Sequence, residues 1–266
     1  MDIIGNFLQA QWERMRDHIN KKKDEPAQQQ NENIYHQKAC DKIMEFYKSH
    51  QSEFEQYFSD IRSPSERKAF IKDVYGMLNY TNATSLPQQN NNGAFLYRGL
   101  SATNAQNIQD YTNGFVDGEV VFGQKAQLHG TGLYMTTNES VAMKYAAYGG
   151  QYGSILRCEA IDGMKVADSV QLSEDKEAVL QLLSSQNQDD RNVLMFANFL
   201  DDNGVFAAVV GYDAIHVQEK EYMLVLNRSS ITVDGIAYYR EGQECNLEDL
   251  EHDSKEIESE MTDITR

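Results

Sequence analysis

The spacing of apolar residues predicts helices at the start of the chain. Ile4, Leu8, Trp12 and Met15 recur at intervals of three and four, which predicts an amphipathic helix over the first twenty residues. The next segment, residues 24–33, is polar, contains a proline and has nothing to bury, so we interpret it as a linker. We therefore expect the chain to begin with a helix that is followed by a linker.

Two further helices are predicted before residue 93. Helical spacing of apolar residues returns over residues 34–58. Ser63, Pro64 and Glu66 then form a strong helix start, with Ser63 as the N-cap, the proline in the first position and the glutamate three after the cap. That helix is expected to run to about residue 80, and a polar stretch over residues 81–93 follows it.

After Pro87 the chain contains no proline, and short apolar runs alternate with helical patterns. Seven runs predict strands, at 94–98, 132–136, 154–160, 207–210, 214–217, 222–226 and 230–233. Four segments between them predict helices, at 102–111, 139–148, 173–183 and 189–200. We therefore predict a helical N-terminal region (1–93), an α+β domain (94–240) and an acidic tail (241–266) that is disordered or loosely helical.

The charge is strongly acidic but unevenly distributed. The 266 residues include 41 acidic and 24 basic side chains, for a net charge of −17. Residues 241–266 alone carry ten acidic and two basic side chains. Such a charge disfavours a broad contact with nucleic acid or anionic lipid, because like charges repel, but it permits a small basic site.

Cysteine usage and hydropathy predict a cytoplasmic protein. The three cysteines, Cys40, Cys158 and Cys245, are far apart and odd in number, which indicates a reducing compartment rather than a disulfide framework. The histidines and cysteines show no metal-binding spacing. We also find no signal peptide, and no run approaches the roughly 18–20 apolar residues of a membrane span.

The first segment that could carry chemistry is a strand ending in Arg98 and Gly99. An arginine at a strand end suits a bidentate contact with phosphate or carboxylate, and the glycine lets backbone approach closely. The alternative is an edge-strand arginine in a surface ion pair.

The second segment is a glycine-rich approach, a strand and a helix start. Gly130 and Gly132 precede the strand, Thr136 and Thr137 end it, and Asn138 is predicted to cap the next helix. Three residues of that helix are expected to face inward: Ala142, Tyr145 and Ala146. The alternative is an ordinary strand–helix corner in which the hydroxyl groups satisfy backbone groups.

The third segment contains two glutamates, Glu219 and Glu221, just before an apolar strand. At a spacing of two they point the same way on a strand. Paired carboxylates suit a reaction that passes through a cationic sugar, because one of them can stabilise an oxocarbenium-like transition state. The alternative is a charged hairpin turn.

In this order, the three segments resemble the mono-ADP-ribosyltransferases, in the branch whose core residues are an arginine, a Ser-Thr-Ser strand and a glutamate. The members they resemble are of the bacterial toxin or effector type. The resemblance covers residues 94–233, a little over half the chain. It implies an α+β split β-sandwich core behind a helical N-terminal region. It also implies an enzyme that cleaves NAD, its substrate, and transfers ADP-ribose to a macromolecule without a metal.

The resemblance also implies roles for the residues that bind NAD. Arg98 would hold the NAD phosphates, with Gly99 beside it in the cofactor site. Thr136 and Thr137 would replace the Ser-Thr-Ser strand and brace the pocket. Asn138 stands where the family has its third hydroxyl.

The implied catalytic residues are the two glutamates and Arg98. Glu221 would stabilise the oxocarbenium ion as nicotinamide leaves, and Glu219 would position or deprotonate an arginine acceptor. Tyr134 or Tyr145 could stack on the nicotinamide ring.

Two histidines are interpreted as non-catalytic. The poly-ADP-ribose polymerase branch has a histidine in place of the arginine, but His129 lies only five residues before Tyr134, too close to occupy a separate strand. We interpret His129 as a loop residue and His216 as a packing or rim residue.

The acceptor and partners stay open. The glutamate pair favours an arginine side chain as the acceptor, and the acidic surface favours a protein target over nucleic acid. The alternatives are an NAD glycohydrolase, a nucleic-acid-directed transferase and a non-catalytic binding module of the same fold. The N-terminal helices could bind the target, a chaperone or an inhibitory partner, or simply pack against the catalytic domain. Delivery to a host cytosol without a cleaved signal is the corresponding family expectation.

Overall fold

The computed structural model describes six stretches of the chain. They are residues 26–60, 63–81, 95–118, 129–147, 150–217 and 221–253. The helix predicted over the first twenty residues, and the acidic tail beyond residue 253, lie outside the described residues.

The N-terminal region forms helices α1 (Pro26–Ser49), α2 (Gln51–Phe58) and α3 (Pro64–Met77). The linker predicted over residues 24–33 is wrong from Pro26 onward, because Pro26 begins α1. Proline is well tolerated in the first turn of a helix, and the alanine and glutamines that follow are good helix formers.

The start of α3 is confirmed in detail. The Ser63 side chain accepts a hydrogen bond from the backbone N–H of Glu66, and the Glu66 carboxylate accepts one from the backbone N–H of Ser63 at 2.8 Å. This reciprocal capping box satisfies two backbone donors that the helix itself leaves without acceptors.

The second half of the chain builds one eight-stranded, curled sheet. Its strands are β1 (Phe95–Ala102), β2 (Leu133–Thr136), β3 (Tyr152–Ala160), β4 (Val166–Asp168), β5 (Ala214–Val217), β6 (Tyr222–Val225), β7 (Ile231–Arg240) and β8 (Gln243–Cys245). Their spatial order is β4-β5-β6-β2-β1-β3-β7-β8. All neighbours are antiparallel except β4 and β5, so the fold class is α+β, as predicted.

Helices connect and cover these strands. They are α4 (Ala105–Val116), α5 (Glu139–Ala146), α6 (Ser169–Gln186), α7 (Arg191–Phe199), α8 (Asn203–Val210) and α9 (247–253). Within the described ranges, no single helix is long and apolar enough to cross a membrane, and α7 and α8 reach that limit only as a pair bent by 108°.

The strand predicted at 207–210 is wrong, because these residues lie in α8. Asp202 caps this helix by accepting from the backbone N–H of Val205, and Gly211 ends it in the left-handed conformation with φ 99°. The helix is buried on nearly every side, so its sequence lacks the polar positions that reveal a helical period.

The N-terminal helices and α6–α8 share one apolar core. Phe54 of α2 lies against Phe196 of α7, with ring centroids 4.6 Å apart, and both side chains are fully buried. This core extends to Ile215 and Leu224 on one face of the sheet. The N-terminal region is thus packed against that face, while α4 covers part of the opposite face through Phe115.

Residues 241–253, which we assigned to the acidic tail, take part in the fold. β8 pairs with β7, and Leu250 of α9 is fully buried near Ala102 and Ile108. Asp253 accepts hydrogen bonds from Arg240 Nη1 and the Tyr152 hydroxyl, each at 3.1 Å.

Candidate functional site

The three predicted segments lie on three neighbouring strands. In the register of the sheet, Tyr97 of β1 is opposite Thr136 of β2, and Thr136 is opposite Tyr222 of β6. Arg98 follows this row by one residue and Glu221 precedes it by one. Two strand spacings total roughly 10 Å, so the sheet gathers all three segments in one neighbourhood.

Glu221 is held at the start of β6 in an unusual backbone conformation. Its φ of 53° lies in the left-handed region, which costs a residue with a side chain free energy. Its carboxylate is exposed, and Oε2 accepts a hydrogen bond from Asn138 Nδ2 at 3.2 Å. The carboxylate is therefore tethered to the end of β2 while it remains open to solvent.

Asn138 has two tasks at this corner. Its Oδ1 caps α5 by accepting from the backbone N–H of Ser140 at 3.0 Å, which leaves Nδ2 to face Glu221. Its own backbone N–H donates to Thr136 Oγ1 at 3.1 Å, and Thr136 is buried. The residue that departs from the hydroxyl pattern thus supplies the donor that reaches the glutamate.

Tyr145 does not face inward, so that prediction is wrong, whereas Ala142 and Ala146 are buried as predicted. Tyr145 is 49% exposed, and its hydroxyl lies 2.7 Å from that of Tyr222. The hydrogen bond and partial burial raise the pKa of Tyr145 to about 12. The small alanines occupy the tight contact between α5 and the sheet, which leaves the bulky ring beside Tyr222, next to Glu221.

Tyr134 lies elsewhere. Its ring packs against the core that the N-terminal helices share with α6–α8, and burial raises the pKa of its hydroxyl. That hydroxyl donates to the Gly130 carbonyl and accepts from the His129 backbone, each at 3.1 Å, near the beginning of β2. Of the two candidate tyrosines, Tyr145 contacts Tyr222, the residue after Glu221, and Tyr134 lies near the beginning of β2.

Arg98 lies against an apolar face of the sheet. Its Cζ is 5.4 Å from the centroid of the Phe115 ring. Burial, together with the nearby positive charge of Arg228, lowers the pKa of Arg98 to about 10. The guanidinium therefore remains charged at neutral pH in surroundings that screen charge poorly.

Arg228 is a buried cation that the sequence analysis missed. It is 2% exposed, and it donates from Nη1 to the Ile231 carbonyl at 2.8 Å and from Nη2 to the Phe115 carbonyl at 2.9 Å. Its Cζ lies 4.7 Å from the same Phe115 ring. No carboxylate in the described part of the chain pairs with it. An arginine between an asparagine and two serines looks like a surface turn, so the sequence carries no signal of this burial.

Gly99 is close to helix backbone. A Cβ atom at this position would lie 2.0 Å from the Ala142 carbonyl oxygen, because α5 crosses β1 there. The space on the side-chain side of Gly99 is thus filled by α5.

The glycine-rich segment before β2, residues 130–132, is hydrogen-bonded to the helices. Asp202 accepts from the Thr131 N–H at 2.9 Å and from its hydroxyl at 2.7 Å, and the Tyr75 hydroxyl donates to the Thr131 carbonyl. Gly204 makes this contact possible, because a Cβ there would lie 2.1 Å from the same carbonyl. This segment therefore connects the sheet to α3 and α8.

The remaining candidates are placed as follows. Thr137 directly follows β2 and is half-buried, and Glu219 lies outside the described residues. His129 lies in a turn, and His216 is half-buried on β5, where burial lowers the pKa of its ring. Among the side chains that the structure describes, no cluster of three or more histidines, cysteines or acidic residues could hold a metal ion.

Comparisons with models of known protein families, with curated proteins and with solved structures found no match.

Proposed function

We propose that this protein is a mono-ADP-ribosyltransferase that cleaves NAD and transfers ADP-ribose to a protein side chain, with arginine the favoured acceptor. The observation that carries the proposal is the hydrogen bond between Asn138 and Glu221. It joins the end of β2 to the start of β6 beside the strand of Arg98. The same adjacency supports an ADP-ribosyltransferase-like split β-sandwich as the finer fold.

Glu221 is the proposed electrostatic catalyst. As the bond between nicotinamide and ribose breaks, positive charge develops on the sugar, and a fixed carboxylate next to it lowers the barrier. The Asn138 amide orients this carboxylate without neutralising it. Since the tether is made before substrate binds, little reorganisation is needed during the reaction.

Arg98 is the proposed diphosphate ligand. A guanidinium suits phosphate oxygens geometrically, and its attraction for an anion is stronger where burial excludes water. The exposed ring of Tyr145, whose hydroxyl is hydrogen-bonded to that of Tyr222, offers an aromatic face on which nicotinamide can stack.

The proposal is tested by incubating the protein with a cell lysate and NAD labelled on its adenine half. We expect label in material that protease degrades and nuclease does not, followed by mass spectrometry that finds ADP-ribose on arginine. Label in nuclease-sensitive material would identify a nucleic-acid acceptor. Free ADP-ribose alone would mean a glycohydrolase, and no turnover would contradict the enzymatic proposal.

Replacing Arg98 by methionine should weaken NAD binding by at least about tenfold, because one charge-assisted contact is lost while the apolar stem is kept. Isothermal titration calorimetry measures the change. Arg157→Met is the matched control, since Arg157 also lies over a phenylalanine ring, Phe95, at 5.0 Å, but is exposed and paired with Asp234. Unchanged affinity in Arg98→Met would remove Arg98 from the site.

A further inference from the structure

Two arginines share one aromatic ring beneath the sheet. The Cζ atoms of Arg98 and Arg228 lie 5.4 Å and 4.7 Å from the centroid of the Phe115 ring. Leu96, Met135 and Leu156 belong to the same apolar cluster as Phe115. Arg228 is fully buried at this ring and Arg98 is half-buried against it, so the two positive charges act on each other in surroundings that screen charge poorly.

Arg228 is hydrogen-bonded to the backbone of Phe115, the residue whose ring it contacts. Phe115 lies at the end of α4, and its carbonyl accepts from Arg228 Nη2 at 2.9 Å. A second hydrogen bond, from Nη1 to the Ile231 carbonyl at 2.8 Å, fixes the guanidinium to the start of β7. Both Nη atoms thus donate to backbone carbonyls, which leaves the charge of Arg228 and its contact with Phe115 as the means by which it can influence Arg98.

We propose that Arg228 and Phe115 position Arg98, and that Arg228 adds a second, buried positive charge to the site. The second charge makes this site selective for a diphosphate over a monophosphate. The inference rests on the proposed function, in which Arg98 binds the diphosphate of NAD. Two like charges in poorly screening surroundings repel each other, and an anion with several negative charges relieves that repulsion best. Arg228 is a positioning residue in this scheme.

The test compares the binding of ADP, AMP and adenosine by calorimetry. We expect the wild type to bind ADP more tightly than AMP. Arg228→Met should lose ADP affinity on the order of tenfold, as expected for one nearby charge. Its affinity for adenosine should stay within a factor of about two, because adenosine carries no phosphate. Arg228→Lys should recover part of the ADP affinity by restoring the charge, and Arg157→Met should bind all three ligands like the wild type.

Several outcomes would overturn the inference. One is wild-type ADP affinity in Arg228→Met, and another is an equal loss for ADP and adenosine, which would indicate a general structural role. If Arg228→Met does not fold, Phe115→Leu decides, because it removes the ring but keeps the carbonyl that Arg228 binds. Unchanged ADP selectivity in that variant would overturn the inference as well.

The same titrations separate this inference from the proposed function. If Arg98→Met loses ADP binding while Arg228→Met binds like the wild type, only the inference on Arg228 fails. If the wild type binds neither ADP nor NAD, both fail together.

Discussion

Replacing Glu221 by glutamine is expected to reduce NAD turnover at least ~100-fold, the scale of losing one preorganised electrostatic partner of the transition state. Glutamine has the same shape but no charge, so stabilisation of the developing sugar cation is lost. Its amide oxygen can still accept from Asn138 Nδ2, and Glu221 is exposed. The free energy of unfolding should therefore change by less than about 0.5 kcal/mol, as is usual for surface substitutions.

Steady-state kinetics of nicotinamide release measure this effect. The value of kcat should fall while KM for NAD changes little, because the interaction that is removed strengthens only in the transition state. Glu241→Gln is the matched control. Glu241 is also an exposed glutamate in the left-handed conformation, with φ 51°, but it lies in the turn between β7 and β8. Near-normal kcat in Glu221→Gln would refute the proposed role of the carboxylate.

The sequence predicted the segments of the candidate site but not how they meet. Each strand and helix start produces a local signal, such as the threonines ending β2 or the glutamate before β6. The contact between Asn138 and Glu221 joins residues 83 positions apart. It depends on β2 lying between β1 and β6, and strand order is fixed by packing of the whole sheet rather than by any short stretch of sequence.

The errors have a common physical origin in burial. The apolar run at 207–210 favours a strand locally, but capping by Asp202 and burial on nearly all sides make it a helix. Tyr145 has the spacing of an inward residue, yet the close approach of α5 to β1 leaves room only for alanines there. Arg228 is polar in sequence and buried in the fold because two backbone carbonyls accept its hydrogen bonds.

Because α5 lies so close to β1, Gly99→Ala is expected to lower the free energy of unfolding by about 3 kcal/mol, the upper range for overpacking. The added Cβ would lie 2.0 Å from the Ala142 carbonyl and 2.8 Å from the Ala146 backbone nitrogen, both of which are backbone atoms. The helix cannot move aside without cost, because Ala142 and Ala146 are buried and α5 also packs tightly on β3, where a Cβ at Gly153 would lie 2.2 Å from the Ala146 carbonyl oxygen.

Denaturant unfolding of Gly99→Ala and Gly76→Ala measures the effect and its control. A Cβ at Gly76 meets nothing within 4 Å on α3, so that variant should be unchanged or stabilised by up to ~1 kcal/mol, the helix-propensity gain. Equal stability of Gly99→Ala and wild type would contradict the packing of α5 on β1. Any displacement of α5 also moves Asn138, which caps it, away from Glu221. A Gly99→Ala variant that still folds should therefore also lose NAD turnover. The packing of α5 on Gly99 keeps Asn138 Nδ2 within hydrogen-bonding distance of the Glu221 carboxylate, and the substitution disturbs that packing.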